Sequence, residues 1–442
     1  MRLAAATVLA AGLFPGVALA APSITDVQAT ATSSAATVSW HTSVPTRGRV
    51  SYGVGDLYLW SAAEGSASIS HAAVLADLAP ATTYAFQIVS GGERTTGSLT
   101  TGVRPPSVRF GVSGTHITAD GSLFFPVLSY EQCASTIGRA VALGVNTFVQ
   151  VPFTDCADPA GVSPPYVLSD NYASAQGQGW YLPDEPDGWG IAPDRLPTLP
   201  PVSDTGRLRV LNISQHFFSG QAPINDRFDR NDYKRFAALA DVVGFDMYPV
   251  VKFCGRVSLS DMFRAQRELM TLYAPGKPTF QWIETSRMTG ECATMQLTPA
   301  IVNAETWLAI AGGACGIGYF TNSWTGDLWN RWDFEPGVES SIAETVVRVQ
   351  GLAPALCSAY GDVVVPWNGT VAASSRTLNG ALYVIAVNSS ATRTTVPFRV
   401  DALAGRTLTV LDEDRSIRPV KQVFFRDTFE PYAVHLYVAA PR

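Results

Sequence analysis

Three consecutive segments decide the fold class of this chain: Val242-Val-Gly-Phe-Asp-Met247, Leu259–Tyr273 and Pro278-Thr-Phe-Gln-Trp-Ile283. The first and third are short apolar runs of the kind that form buried strands, and the middle one has the length and periodicity of a helix. Two parallel strands need a long crossover between them, which is usually a helix. The three segments therefore predict one strand–helix–strand unit of a parallel sheet.

The same alternation continues on both sides of this unit and predicts eight parallel strands. We therefore expect a (β/α)8 TIM barrel over residues 107–356. The segment between Val151 and Gly179 is rich in Pro, Gly, Ser and Asp, so a strand is predicted there without a clear helix before it. The remaining predicted strands are Leu123–Leu128, Asn146–Val151, Tyr166–Leu168, Gly179–Pro183, Leu208–Ile213 and Gly316–Phe320, and the remaining helices are Tyr130–Leu143, Tyr233–Ala240, Pro299–Ala311 and Val338–Leu352.

Residues 22–101 and 360–442 differ from the barrel because they contain short alternating strands separated by turn residues. Val74-Leu-Ala-Asp-Leu-Ala-Pro-Ala-Thr-Thr-Tyr84 resembles the corner of a fibronectin type III domain, where an L-x-P-x-T-x-Y pattern positions the tyrosine. A related module precedes the catalytic domain of purple acid phosphatases. The resemblance implies an N-terminal fibronectin III-like β-sandwich, and 360–442 is expected to form a C-terminal β-sandwich.

The first 20 residues have the features of a signal peptide. Arg2 precedes an apolar stretch over Leu3–Val17, and Ala18-Leu-Ala20 provides the small residues of a cleavage site. We therefore expect a protein secreted to the extracellular space or periplasm, with no membrane span. Six cysteines in an exported chain favour disulfides. Pairing of neighbours along the chain predicts Cys133–Cys156, Cys254–Cys292 and Cys315–Cys357.

Composition narrows the classes of partner. Charged residues make up 15% of the chain, aromatic residues 10%, and the net charge is −6, which argues against a nucleic-acid partner. No CxxC spacing occurs and the five histidines are scattered, so no metal site is predicted. We expect a monomer that needs no cofactor and acts on a carbohydrate, for the reasons given next.

Catalytic residues of such barrels follow the carboxyl ends of the strands. Glu185 follows the fourth predicted strand and Glu284 follows the seventh. This placement over residues 107–355 resembles the clan A glycoside hydrolases. The resemblance implies that Glu185 is the acid/base and Glu284 the nucleophile of a retaining reaction. A carboxylate pair is what glycosidic cleavage requires, because the departing oxygen needs a proton and the anomeric carbon needs an anion.

The resemblance also assigns neighbouring residues to the substrate. It implies that Tyr248 holds the nucleophile ionised and that Trp324 forms the floor under the sugar. The clan usually has Asn before the acid/base, whereas this chain has Asp184, whose charge is expected to raise the pKa of Glu185. Further substrate contacts are expected from residues that end or follow the fourth to sixth strands, namely Trp180, His216 and Asp246.

Simpler roles remain open for these residues. Glu284 can pair with Arg287, Asp184 can cap a helix, and Asp187 fits a turn before Gly188. The chain as a whole has a second interpretation, a secreted carbohydrate-binding protein with a non-catalytic barrel. A phosphatase is disfavoured because the sequence lacks the GDxxY and GNHE motifs that provide its metal ligands.

Overall fold

The computed structural model describes residues 22–32, 35–54, 58, 60–76, 78, 82–102, 109–149, 166–169, 179–196, 208–220, 227–288, 292, 296–325, 328–365 and 369–441. The chain forms two compact units, Met1–Pro106 and Ser107–Arg442. The predicted signal peptide lies outside the described residues. Within the described part of the chain, no helix is long and apolar enough to cross a membrane.

The first unit contains two antiparallel sheets that share one core. Their strand orders are β1-β2-β5 and β4-β3-β6-β7. Tyr84, Phe86 and Ile88 alternate along β6 into a core that also contains Val38 and Val50. This is the alternation expected of a strand with one buried face. The strands are β1 Ile24–Ala31, β2 Ala36–Thr46, β3 Gly48–Val54, β4 Trp60–Ala63, β5 Ser68–Leu75, β6 Thr83–Ser90 and β7 Glu93–Thr100.

The second unit is built on a closed barrel of eight parallel strands, which confirms the predicted barrel. The third strand lies at Tyr166–Ser169, where the sequence predicts it. The barrel strands are β11 Val127–Tyr130, β12 Thr147–Val149, β13 Tyr166–Ser169, β14 Gly179–Tyr181, β15 Leu208–Ser214, β16 Val242–Asp246, β17 Thr279–Glu284 and β18 Ile317–Phe320.

A small antiparallel sheet precedes the barrel and closes its amino-terminal end. It consists of β8 Phe110–Ser113, β9 His116–Ala119 and β10 Ser122–Phe124. Ile117 of this sheet lines the same apolar space as Phe280 inside the barrel. The segment predicted as one strand, Leu123–Leu128, is divided between β10 and β11. Pro126 lies at the division, where it cannot donate a ladder hydrogen bond.

Among the described residues, five helices accompany the barrel strands, and their ends follow from capping and packing. Asp229 begins α2 earlier than predicted because its carboxylate accepts the N–H groups of Asn231 (2.7 Å) and Asp232 (3.0 Å). A π-helical turn, Leu269–Tyr273, extends α3. The helices are α1 Ala134–Ala142, α2 Arg230–Ala238, α3 Ser260–Glu268, α4 Pro299–Gly312 and α5 Val338–Leu356, and 3₁₀ turns occur at Pro193–Arg195, Gln215–Phe217 and Asp401–Leu403.

The C-terminal strands pack against the barrel within the same unit. Ile385 and Leu436 of the C-terminal sheet belong to the same buried cluster as the barrel residues. Helix α4 is apolar on all sides because it lies between the barrel strands and this sheet. A six-stranded sheet has the order β21-β22-β23-β28-β25-β26, and β24 pairs with β27. The strands, including the β19–β20 hairpin after the barrel, are β19 Ser323–Thr325, β20 Leu328–Asn330, β21 Ala359–Asp362, β22 Val371–Leu378, β23 Ala381–Asn388, β24 Thr394–Arg399, β25 Leu408–Val410, β26 Arg415–Ile417, β27 Phe424–Phe429 and β28 Val434–Ala439.

Two of the three predicted disulfides are present, Cys254–Cys292 and Cys315–Cys357. The third prediction involves Cys156, which lies outside the described residues. Disulfides are typical of exported proteins, so both bridges are consistent with the predicted secretion.

Candidate active site

The sheet β8–β10 closes the amino-terminal end of the barrel. The candidate site lies at the opposite end, where the strands finish and where Glu185, Asp184 and Asp246 are found. Glu185 follows β14 and adopts a left-handed backbone conformation with φ of 43°. Its amide donates to the carbonyl of Asn212 on β15 (3.2 Å). A non-glycine residue persists in this conformation where neighbouring contacts hold it. The hydrogen bond to β15 thus helps to fix the direction of Glu185.

Glu185 pairs with Asp246, which ends β16. The pKa of Glu185 is raised to about 7, mainly by burial and also by the charge of Asp184, while a hydrogen bond from Asp246 opposes the rise. Burial and the charge of Glu185 raise the pKa of Asp246 well above its usual range. Asp246 is therefore the protonated partner and donates a hydrogen bond to the carboxylate of Glu185, as expected when two carboxyls share one site. The predicted rise in the pKa of Glu185 is confirmed, with burial as its main cause.

Asp184 is held by donors from three different strands. Its carboxylate accepts from the hydroxyls of Tyr181 (2.9 Å) and Tyr130 (3.2 Å) and from the amide of Asn212 (3.0 Å). Burial nevertheless raises the pKa of Asp184, while the three hydrogen bonds lower it. No helix begins at Asp184, so it is not a helix cap. Its position links β11, β14 and β15 at the mouth of the barrel.

An aromatic surface lies beside these carboxylates after β18. Trp324 stacks on Trp329 across the β19–β20 hairpin with ring centroids 5.9 Å apart, and it stacks on Phe320 at the same distance. Phe320 in turn contacts Tyr130 (5.7 Å) and the buried Tyr248 (5.6 Å). Trp324 is 37% exposed, so its ring is accessible while Phe320 connects it to the carboxylate cluster.

Glu284 lies near Tyr248, whose pKa its charge helps to raise, but its own carboxylate is enclosed. It is fully buried, and its two carboxylate oxygens accept the N–H groups of Val250 (2.9 Å) and Val251 (2.8 Å). Burial raises the pKa of Glu284, and a hydrogen bond from Glu305 on α4 lowers it. Burial and the neighbouring charge of Glu284 raise the pKa of Glu305 well above its usual range, so Glu305 is the protonated partner.

The structure therefore contains two carboxyl pairs where the sequence predicts one. The charged or hydrogen-bonding groups around Glu185 are Asp246, Asp184, Asp187 and Lys252, whereas those around Glu284 are Glu305 and two backbone amides. Glu284 does not pair with Arg287, which instead contacts Glu335 (3.2 Å). The sequence pattern identifies the strand that carries Glu284 but does not reveal that the loop after β16 covers its side chain.

Trp180 and His216 differ in how they are placed relative to the carboxylates. Trp180 is buried, and alternation along β14 places it on the face opposite to Tyr181. Nδ1 of His216 lies 2.7 Å from the hydroxyl of Ser214, which donates to Asp187 (2.7 Å). His216 thus belongs to the contacts around Asp187, behind the turn that follows Glu185.

Three residues at the site were missed from the sequence, Tyr130, Asn212 and Lys252. Tyr130 ends β11, the first strand, so the strand-end rule applied to that strand would have identified it. Asn212 lies on β15, the fifth strand, two residues before its end, so the same rule would have pointed to its neighbourhood. Lys252 lies on the loop after β16, and its charge lowers the pKa of Glu185. No local sequence pattern marks this residue. Among the described residues, no group of three or more His, Cys, Asp or Glu side chains could hold a metal ion.

Comparison with known proteins gives separate results for the two units. Residues 22–101 match the family model described as the purple acid phosphatase N-terminal domain. The N-terminal unit is a fibronectin-like domain. This match concerns the module alone. No curated protein matches the sequence.

Solved structures that are similar to this chain include several glycoside hydrolases. An alpha-amylase from Geobacillus thermoleovorans, complexed with acarbose, has 13% identity and a TM-score of 0.42, covering 70% of this chain and 91% of that one. A GH30 endoxylanase from Clostridium papyrosolvens has 12% identity and a TM-score of 0.40, covering 76% and 98%. A GH2 beta-galacturonidase from Eisenbergiella tayi has 11% identity and a TM-score of 0.36, covering 75% and 73%.

Proposed function

We propose that this chain is a secreted, monomeric glycoside hydrolase that cleaves O-glycosidic bonds of a poly- or oligosaccharide with retention of configuration. The observation that carries the proposal is the environment of Glu185. Its pKa of about 7 and its position at the open end of a (β/α)8 barrel, in one cluster with Asp184 and Asp246, suit a proton donor. The exposed Trp324 provides a surface on which a sugar ring can stack.

Glu185 is the proposed acid/base because of the proton that glycosidic cleavage requires. A glutamate with its ordinary pKa of 4.5 is almost fully ionised at neutral pH, whereas a carboxyl with a pKa of about 7 is protonated in about half of the molecules. The protonated carboxyl donates to the departing glycosidic oxygen. Once ionised, the same group can accept a proton from the water that completes the reaction.

The second carboxylate of the proposed reaction has two candidates. Glu284 remains the proposed nucleophile, since it ends the seventh strand of the barrel. Both of its oxygens accept backbone N–H groups, so attack on a sugar would require the segment containing Val250 and Val251 to move. Asp246 is the competitor because it already contacts Glu185 and its Oδ1 is buried with no donor among the described residues, but it could attack a sugar only after losing the proton that its raised pKa retains.

Azide rescue distinguishes these two candidates. If Glu284 is the nucleophile, Glu284→Ala loses nearly all activity and added azide restores it, because azide fills the space of the missing carboxylate and attacks the anomeric carbon. Glu305→Gln serves as the control because it alters the same buried pair without removing Glu284. Rescue of Asp246→Ala, with no rescue of Glu284→Ala, would transfer the role to Asp246. Proton NMR of the first product anomer tests retention, and an inverted anomer would contradict it.

Two other functions make different predictions. A carbohydrate-binding protein with a non-catalytic barrel would bind oligosaccharides without releasing any reducing ends. A phosphatase would release phosphate from phosphomonoesters. The match of residues 22–101 to the N-terminal domain of purple acid phosphatases is the reason to test this activity. The first test is therefore a screen of the full chain against polysaccharides, aryl glycosides and phosphomonoesters. Release of reducing sugar supports the proposal, and binding without any product would overturn it.

A further inference from the structure

The turn directly after Glu185 displays an exposed tryptophan. Trp189 is 76% exposed, the largest value among the exposed large apolar side chains of the described residues. Its amide donates to the carbonyl of Glu185 (3.1 Å), so the two residues belong to one closed turn. The amide of Ile191 donates to the carbonyl of Pro186 (2.7 Å) and completes the reversal of the chain. Trp189 is thus attached to the backbone of the proposed proton donor.

A fully buried carboxylate holds this turn in place. Asp187 lies between Glu185 and Trp189 and accepts the amide (2.9 Å) and hydroxyl (2.7 Å) of Ser214 and the hydroxyl of Tyr233 (3.2 Å). A buried carboxylate with several donors is a strong constraint on the backbone that bears it. A single exposed apolar residue on an ordinary surface requires no explanation. Here the contacts of Asp187 fix the turn, while the indole of Trp189 on the same turn is exposed to solvent.

The strand order places Trp189 and Trp324 on opposite sides of the barrel mouth. Trp189 follows β14, the fourth strand, and Trp324 follows β18, the eighth. In a closed barrel of eight strands these two positions are separated by four strands in either direction. Asp246 ends the sixth strand, between them on one side. A saccharide that contacts both indoles therefore crosses the barrel mouth that carries the Glu185–Asp246 pair.

We infer that Trp189 is the platform for the sugar on the leaving-group side of the bond that is cleaved. This inference rests on the proposed function. A proton donor faces the departing oxygen, so the leaving sugar lies on the side of the donor and beside the turn that bears it. The apolar face of a pyranose ring covers an indole well. The assignment of Trp324 to the sugar on the other side leaves Trp189 for the leaving group.

The inference defines the class of substrate. With an aromatic platform on each side of the carboxylates, the site accepts a chain that has at least one sugar residue on both sides of the scissile bond. Oligosaccharides are then better substrates than compounds with a small leaving group.

The test compares two substrates of the same sugar in Trp189→Ala. Oligosaccharides of the xylo, cello, manno, malto and galacto series occupy the leaving-group side, whereas the corresponding glycosyl fluorides leave it empty. We expect the ratio of kcat/KM for the hydrolysed oligosaccharide to kcat/KM for its fluoride to fall by about tenfold or more in Trp189→Ala, since a contact of roughly 1.4 kcal/mol gives a factor of ten. Trp189→Phe should recover most of this loss.

Phe424→Ala is the matched control because Phe424 is a half-exposed aromatic residue on β27 of the C-terminal sheet. This variant should leave the substrate ratio unchanged. An unchanged ratio in Trp189→Ala, with oligosaccharide cleavage still dependent on Glu185, would overturn the inference and leave the proposed function intact. An equal loss on both substrates would also overturn it. Oligosaccharide cleavage that does not depend on Glu185 would overturn its role as the proton donor, and no cleavage of any of these oligosaccharides by the wild type would overturn the proposed function itself.

Discussion

We expect replacement of Glu185 with glutamine to lower kcat/KM for an oligosaccharide by about 10²- to 10⁴-fold, the range that a positioned general acid contributes. Glutamine keeps the size of the side chain but carries no acidic proton. The loss should be much smaller for a dinitrophenyl glycoside, because this leaving group departs without protonation. Steady-state kinetics on the two substrates measure the difference. The expected outcome is therefore a selective loss on substrates with poor leaving groups.

The pH profile gives a second readout of the same variant. The pKa of Glu185 is raised to about 7, so the acid form is present below this pH and disappears as the pH rises through it. In the wild type, kcat/KM for an oligosaccharide should fall on the alkaline side of pH 7. In Glu185→Gln this alkaline limb should be absent, because the titrating group has been removed.

Glu344→Gln is the control for both experiments, since Glu344 is an exposed glutamate on α5. It should keep wild-type kinetics and the alkaline limb. An alkaline limb that persists in Glu185→Gln would assign the titration to another group. An equal loss on activated and unactivated substrates would show that Glu185 is not the proton donor.

Replacing Arg376 with methionine should lower the free energy of unfolding by at least about 3 kcal/mol, because several buried acceptors lose their donor and each costs about 1–3 kcal/mol. Arg376 is 1% exposed and donates to the carbonyls of Ile310 (2.7 Å), Leu356 (2.9 Å) and Ser375 (2.8 Å). Ile310 and Leu356 lie at the carboxyl ends of α4 and α5, where a positive charge is favourable.

Denaturant unfolding of the full chain measures this effect. Burial lowers the pKa of Arg376 to about 10, so the side chain remains charged at neutral pH. Arg399→Met is the matched control, because the exposed pair of Arg399 and Asp401 should contribute less than about 1 kcal/mol. Arg376 lies on β22 and donates to carbonyls on α4 and α5, so we propose that it joins the C-terminal sheet to the helices of the barrel. A loss of unfolding free energy in Arg376→Met as small as that in Arg399→Met would contradict this role.

The barrel could be predicted because its strands are short, apolar and separated by helices. Even the third strand, at Tyr166–Ser169, appears in the poorly patterned segment where it is predicted. Errors within the predicted elements concern their ends, whereas the β8–β10 sheet and the β19–β20 hairpin were not predicted as such. Pro126 divides a predicted strand, and α5 extends beyond the predicted Leu352, through Pro354, to Leu356. The buried Ala353 and Ala355 explain this extension, since packing there outweighs the single hydrogen bond that proline removes.

The candidate site could be predicted in part. The strand-end rule correctly identifies Glu185, Asp184 and Asp246 as neighbours, because parallel strands bring their carboxyl ends to one face. The same rule places Glu284 at that face, yet its side chain is covered by the loop containing Val250 and Val251. A loop conformation depends on contacts made across the whole barrel, and no local pattern records it.

By itself the sequence determined the fold class, the strand ends that carry the carboxylates and two of the disulfide pairs. These features depend on the periodicity of short segments and on the order of strands and cysteines along the chain, both of which can be read directly from the sequence. Tertiary structure alone decided which carboxyls pair. Glu185 meets Asp246 and Glu284 meets Glu305 because burial depth and loop packing select each partner. Burial also sets the pKa of Glu185, and with it the proposed role as proton donor, since desolvation is a property of the folded environment and not of the residue.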